Sequence, residues 1–158
     1  AHAFGAAYTF TIGSEVTRQH VRQADTSNAE LHLPYFDFPS LEHMARPRGM
    51  QLVGVELTDD AVELPSFHHP RRAAYILGPE KGSLPPHILE HCDHVVKIPT
   101  KFCVNVALAA GIILYDRHLQ HGQYPAKPVR PGGPTEEKNT HFHGGRFSRT
   151  GKKTWQAS

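Results

Sequence analysis

Cysteine is scarce in this chain: Cys92 and Cys103 are the only two among 158 residues. That number and spacing exclude a disulfide-stapled scaffold and favour a reducing compartment, with the cytoplasm as the expectation. Long hydrophobic runs are missing as well. The longest, Val106 to Tyr115, is about half the roughly 20 residues that span a bilayer, so a buried helix is expected there and no membrane partner. Internal repeats are absent, which excludes a solenoid or propeller. No secretory signal is visible, although the chain opens on Ala1, so an amino-terminal piece is expected to be missing.

The composition that remains is that of one soluble domain, 39% hydrophobic and 20% charged. The formal charge of +2 is unevenly spread: from Lys127 onward seven Lys and Arg face two Glu, so the rest of the chain is net acidic. The same region is rich in Pro and Gly, from Pro125 to Pro134 and again around Gly144. Such a segment buries too little apolar surface to offset its ordering entropy. The domain division is therefore 1–122 for the folded part and 123–158 for a basic, largely disordered tail.

Within residues 1–122, apolar segments alternate with turn chemistry. Ala1 to Gly5 has the character of a last helical turn with Gly5 as its stop, and Tyr8 to Ile12 that of a strand. Gly13 to Glu30 is polar and aperiodic. Leu31 to Pro39 is an extended aromatic segment, with Ser40 as the N-cap of a short helix to about Ala45. Strands are expected at Gln51 to Leu57, Arg71 to Leu77 and His94 to Ile98, with Leu64 to Pro70 as a connecting loop and a short helix from Pro85 to His91. Val104 to about Leu119 is the longest helix, apolar on nearly every side, so both its faces need cover, a second copy of the chain included. Strands alternating with helices give an α/β fold: a parallel sheet flanked by helices.

Two loops stand out at strand ends, where an α/β protein collects free backbone groups around a ligand. The first is Gly78-Pro79-Glu80 with Gly82 and Leu84. The second begins at Ile98-Pro99 and continues into Cys103-Val104-Asn105-Val106, with Leu114-Tyr115-Asp116 closing the helix. In this order and about 20 residues apart, these motifs resemble those of the SpoU/TrmH branch of the SPOUT RNA methyltransferases. The resemblance covers roughly residues 1 to 122. It implies a deep carboxyl-terminal trefoil knot, against the general rule that chains do not thread loops. It also implies a homodimer, S-adenosyl-L-methionine as cofactor, and 2′-O-methylation of a ribose in tRNA or rRNA.

By the same resemblance the cofactor contacts fall on Val55, Glu56, Leu57, Gly78, Glu80, Ile98, Cys103 and Val104, and the catalytic positions on Asn105 and Cys103. Cys103 stands where the family has serine, which keeps the size and weakens the hydrogen bond. The family's first motif, an asparagine and an arginine ahead of an Ala-x-Ala-Phe-Gly helix end, would precede Ala1, so the arginine that activates the 2′-hydroxyl is expected outside this chain. A non-catalytic RNA-binding module and a base methyltransferase of the same superfamily stay open as alternatives.

Outside these motifs, Arg18 and Arg22 are candidate RNA contacts, joined by Arg46, Arg48, Arg71 and Arg72 as a phosphate-binding surface. In the tail Arg146, Arg149, Lys152 and Lys153 lie near Phe147 and Trp155, a mixture of charge and stacking groups suited to RNA. The 13 histidines, His68-His69 and His141-x-His143 among them, lack cysteine or carboxylate ligands at metal spacing, so no metal is expected and they are taken as exposed loop residues.

Overall fold

Strands form where β-branched and aromatic residues run between turns, and the described residues contain six: β1 Thr9–Ile12, β2 Tyr35–Phe38, β3 Gln51–Val55, β4 Val62–Glu63, β5 Ala73–Leu77 and β6 His94–Lys97. This computed structural model describes residues 1–13, 32–79, 82–122, 124, 127–128 and 131–133. The chain divides into two units, Ala1–Gln123 and Tyr124–Ser158. All the strands and helices of the described residues belong to the first. The polar stretch from Gly13 to Glu30 lies almost wholly outside the described residues, as do Arg18, Arg22, Glu80, Arg146 and Arg149.

Every strand pairing among the described residues is parallel. β1 and β2 form a two-stranded sheet of their own, while a four-stranded sheet has the order β4-β6-β3-β5. β3 is central because its residues are buried on both faces, and successive side chains point opposite ways. Leu52 joins Met44, Met50, Ile76, Leu84 and Ile88 on one face, with Phe10 and Phe38 of the small sheet packed against them. Val53 joins Leu64, Val96, Ile98, Ala109 and Ile113 on the other. Two helices supply those covers: α1, Pro86–Leu89, carries Ile88, and α2, Val106–His121, carries Ala109 and Ile113. Leu52, Val53, Val96 and Ile113 are almost wholly buried, each stabilising the fold by about 1.5–3 kcal/mol.

Three expectations need correction. β4 was not foreseen, since two residues carry no alternation; it pairs Val62 with Val96 and Glu63 with Lys97. The loop from Leu64 to Pro70 is not plain connection, because Leu64–Ser66 forms a 3-10 turn and His69 is fully buried. The long helix starts at Val106 rather than Val104, because Asn105 caps it: Oδ1 accepts hydrogen bonds from the N–H groups of Ala107 (2.8 Å) and Leu108 (3.4 Å). On the outward side of α2, Leu108 and Tyr115 are 54% and 55% exposed.

Candidate functional site

Strand order reverses across β3: β5 lies on one side of it and β6, the next strand in the chain, on the other. At such a switch point the loops leaving the carboxyl ends diverge and open a crevice. Here that crevice is a cleft of about 120 Å³. Val55, Glu56 and Leu57 border it from the end of β3, Leu77, Gly78, Pro79 and Gly82 from the end of β5, and Lys97, Ile98 and Thr100 from the end of β6. Cys103, Val104, Val106 and Ala109 complete it from the approach and first turn of α2.

The glycine loop is held by a carboxylate. Glu56 Oε2 accepts a hydrogen bond from the Leu84 N–H at 2.7 Å, and Oε1 one from the Leu57 N–H at 2.9 Å, while the Glu56 N–H donates to the Val96 carbonyl at 3.1 Å. Glu56 therefore braces the far end of the loop against the end of β3. Gly78 is needed for the closeness this creates: a Cβ there would lie 3.2 Å from Leu84 N and 3.4 Å from the Ser83 carbonyl carbon. Gly82, at φ 114°, adopts a backbone region that side chains resist.

The opposite wall is fixed through β6. Lys97 Nζ donates to the carbonyls of Thr58 (3.1 Å) and Asp59 (3.2 Å), tying the loop after β3 to the strand beside it. After Pro99 the chain folds back, with the Thr100 N–H bonded to the Ile98 carbonyl at 2.7 Å and Thr100 Oγ1 donating to the Phe102 carbonyl at 2.8 Å. The result is a cleft with aliphatic walls, braced loops and few charged groups turned into it.

The SpoU rRNA methylase family pattern matches residues 1–115. The chain belongs to the SpoU rRNA methylase family. Its fold is also that of solved SpoU-family structures. An rRNA methyltransferase from Sinorhizobium meliloti is 20% identical, with a TM-score of 0.65 over 75% of this chain and 48% of that one. The SpoU methyltransferase AviRb from Streptomyces viridochromogenes is 25% identical, with a TM-score of 0.60 over 73% of this chain and 50% of that one. A TrmH/SpoU tRNA modifying enzyme from A. aeolicus is 21% identical, with a TM-score of 0.55 over 75% and 63%. The chain thus spans about half the length of the first two of these proteins. No curated protein matches it.

In this SpoU-family chain, seven positions singled out from the sequence meet around the one cleft: Val55, Glu56, Leu57, Gly78, Ile98, Cys103 and Val104. Glu80 lies outside the described residues. Cys103, an exposed free cysteine, lines the cleft. Asn105 sits at the helix start beside the cleft, with its Oδ1 engaged in the cap. Among the arginines, Arg46 forms an ion pair with Asp93 and donates to the Met50 carbonyl at 3.1 Å, which ties it to the start of β3. Leu77, Pro79, Gly82, Lys97, Thr100, Val106 and Ala109 line the cleft as well and were not singled out; a polar residue at the end of an apolar strand, as at Lys97, and one just after Ile-Pro, as at Thr100, were the available signals.

A second polar cluster locks the far end of α2. His69, taken from the sequence as an exposed loop residue, is 0% exposed; Nδ1 lies 2.7 Å from the Tyr75 hydroxyl and Nε2 3.1 Å from Asp116 Oδ2. Its N–H donates to Gln120 Oε1 at 2.7 Å, and Arg117 donates to the carbonyls of Pro70 and Arg71. Burial lowers the pKa of His69, opposed by the bond to Asp116, and burial raises that of Tyr75. Among the described residues, no three His, Cys, Asp or Glu are placed to hold a metal ion, and no helix is long and apolar enough to cross a membrane.

Proposed function

We propose that this chain carries the cofactor half of an S-adenosyl-L-methionine-dependent RNA methyltransferase acting on a ribose 2′-hydroxyl of tRNA or rRNA. The observation that carries the reading is the cleft at the carboxyl ends of β3, β5 and β6, where seven residues matching the family's cofactor positions converge. Support also comes from similar folds: AviRb in complex with AdoMet, at 24% identity, and an RNA 2′-O ribose methyltransferase at 20%. The cleft has the features an adenosyl group requires. Its walls from Val55, Leu77, Ile98 and Val104 are apolar, and Gly78 keeps the backbone of its loop open to close approach.

Bound there, the cofactor supplies an electrophilic methyl group. The protein's own work is alignment: Glu56 and Lys97 brace the two flanking loops, and Cys103 and the first turn of α2, which Asn105 caps, would help hold the cofactor from the remaining wall. A carboxyl-terminal trefoil knot fits the strand order, since β6, last in the chain, lies between the earlier strands β4 and β3. A homodimer accounts for the exposed Leu108 and Tyr115 of α2, and a cytoplasmic location for the two free thiols. Cys103 in place of serine favours a second reading, an RNA-binding module with impaired catalysis.

Calorimetry with S-adenosyl-L-methionine tests the first step, with micromolar binding expected; absence of binding refutes the cofactor reading. Locating the methyl group on modified RNA, on ribose or on base, tests the second.

A further inference from the structure

Phe102 is the most exposed large hydrophobic residue described, at 82%, whereas the other exposed apolar side chains lie between 44% and 55%. A lone exposed apolar residue is ordinary on a protein surface. This one is distinguished by where it is held. Thr100 and Cys103, on either side of it, both line the cleft, and the hydrogen bond from Thr100 Oγ1 to the Phe102 carbonyl fixes its backbone at the rim. Lys101, also exposed, precedes it, so a basic and an aromatic residue are chain neighbours in the short segment between two cleft-lining residues. Leu57, 45% exposed, borders the cleft from the end of β3.

We infer that Phe102 is a stacking platform for an unpaired base of the RNA substrate, with Lys101 contacting an adjoining phosphate, so that the ribose of an unstacked nucleotide is presented to the cleft. The inference rests on the methyltransferase reading above and adds the substrate form: a single-stranded or looped-out nucleotide rather than a continuous duplex. The physical reason is that every base has a face that stacks on an aromatic ring, whereas a base within an A-form helix offers none. An aromatic residue next to a basic one along the chain offers a base and its adjoining phosphate one partner each. It is also suited to holding a nucleotide without reading its identity.

The test uses the full chain and a fluorescein-labelled single-stranded RNA of mixed sequence, about 12 nucleotides long, with the same sequence annealed into a duplex as comparison. Phe102→Ala is expected to weaken single-strand binding about 10-fold, the loss of one stacked base, and to leave duplex binding unchanged. Phe102→Tyr is expected to retain affinity, and Lys101→Ala to reduce the dependence of log K on log salt by about 0.7, one phosphate contact on a single strand. A Phe102→Trp variant in a Trp155→Phe background should lose tryptophan fluorescence on adding the single strand. Cofactor calorimetry on the same variants separates the two readings. If the unaltered chain fails to bind cofactor, the methyltransferase reading fails; if it binds cofactor but its RNA affinity is absent or indifferent to Phe102→Ala, the platform is overturned. A Phe102→Ala variant that sediments as a smaller species than the unaltered chain also overturns it, since the ring then belongs to a contact between copies.

Discussion

Glu56→Ala removes the brace of the glycine loop and gives the sharpest test of how the cleft is built. Both carboxylate oxygens accept from backbone N–H groups, and the one from Leu84, a residue only 5% exposed, crosses from the end of β3 to the far end of the loop. Truncation leaves that N–H without its acceptor in a place water reaches poorly, which costs about 1–3 kcal/mol. The Leu57 N–H lies on an exposed residue and can turn to water, so it adds little. A loss of about 2 kcal/mol in a chain of this size lowers Tm by roughly 4–8 °C. If cofactor binding requires the braced loop, the same 2 kcal/mol appears as a roughly 30-fold weaker Kd for S-adenosyl-L-methionine. Glu56→Gln is the decisive companion. Its amide oxygen still accepts from Leu84, so it should retain most of the stability and cofactor affinity. The assay is calorimetry on both variants beside thermal unfolding. A Glu56→Gln variant as damaged in binding as Glu56→Ala, at undiminished Tm, would refute the brace and make the carboxylate a direct cofactor contact.

Three further outcomes are expected. Gly78→Ala should weaken cofactor binding by at least 10-fold in calorimetry, because a Cβ 3.2 Å from Leu84 N pushes against backbone rather than a yielding side chain. Asn105→Ala should destabilise by about 1 kcal/mol in urea unfolding and Asn105→Asp by much less, since aspartate caps a helix as well as asparagine does. For His69, whose pKa burial holds below the ordinary imidazole value of 6.5, the unfolded chain takes up the proton first. The stability its neutral form contributes is therefore present above pH 6.5 and is lost as pH falls below it. Urea midpoints measured from pH 8 to pH 5 should fall, and in His69→Phe the part of that slope lying just below pH 6.5 should disappear.

Much of the fold was legible because local chemistry and tertiary demand agree. β3, β5 and β6 are runs of β-branched and aliphatic residues ended by polar or glycine-rich turns, and Asn105 is a strong N-cap ahead of an apolar stretch. The position of the cleft was legible for a different reason: its two loops keep turn residues, Gly78-Pro79 and Ile98-Pro99, at strand ends where only backbone geometry is at stake. What could not be read depends on partners distant in sequence. The burial of His69 is decided by Tyr75, Asp116 and Gln120, the last two 47 and 51 residues away. The bond that Glu56 accepts from the Leu84 N–H, 28 residues on, is likewise invisible at the strand end where the carboxylate stands. β4 exists only because β6 offers it an edge.

The two ends of α2 explain why the cleft depends on residues far from it. The first turn supplies Val106 and Ala109 to the wall, and Ile113, one turn further on, is wholly buried against Val53 and Val96. Three residues beyond Ile113, Asp116 begins the polar lock that Arg117 and Gln120 extend onto the loop before β5. A helix capped at one end, buried at the middle and bonded at the other has little freedom to slide, and sliding by one residue would carry Val106 and Ala109 about 1.5 Å along the helix axis. Burial of His69 without charge is part of that restraint. Protonation would leave the imidazolium facing the Arg117 charge, with only Asp116 to compensate it. The same anchoring leaves Leu108 and Tyr115 on the outward side. A partner that covers them would reinforce the position of the cleft wall, so cofactor affinity and self-association should rise and fall together across variants of that outward face.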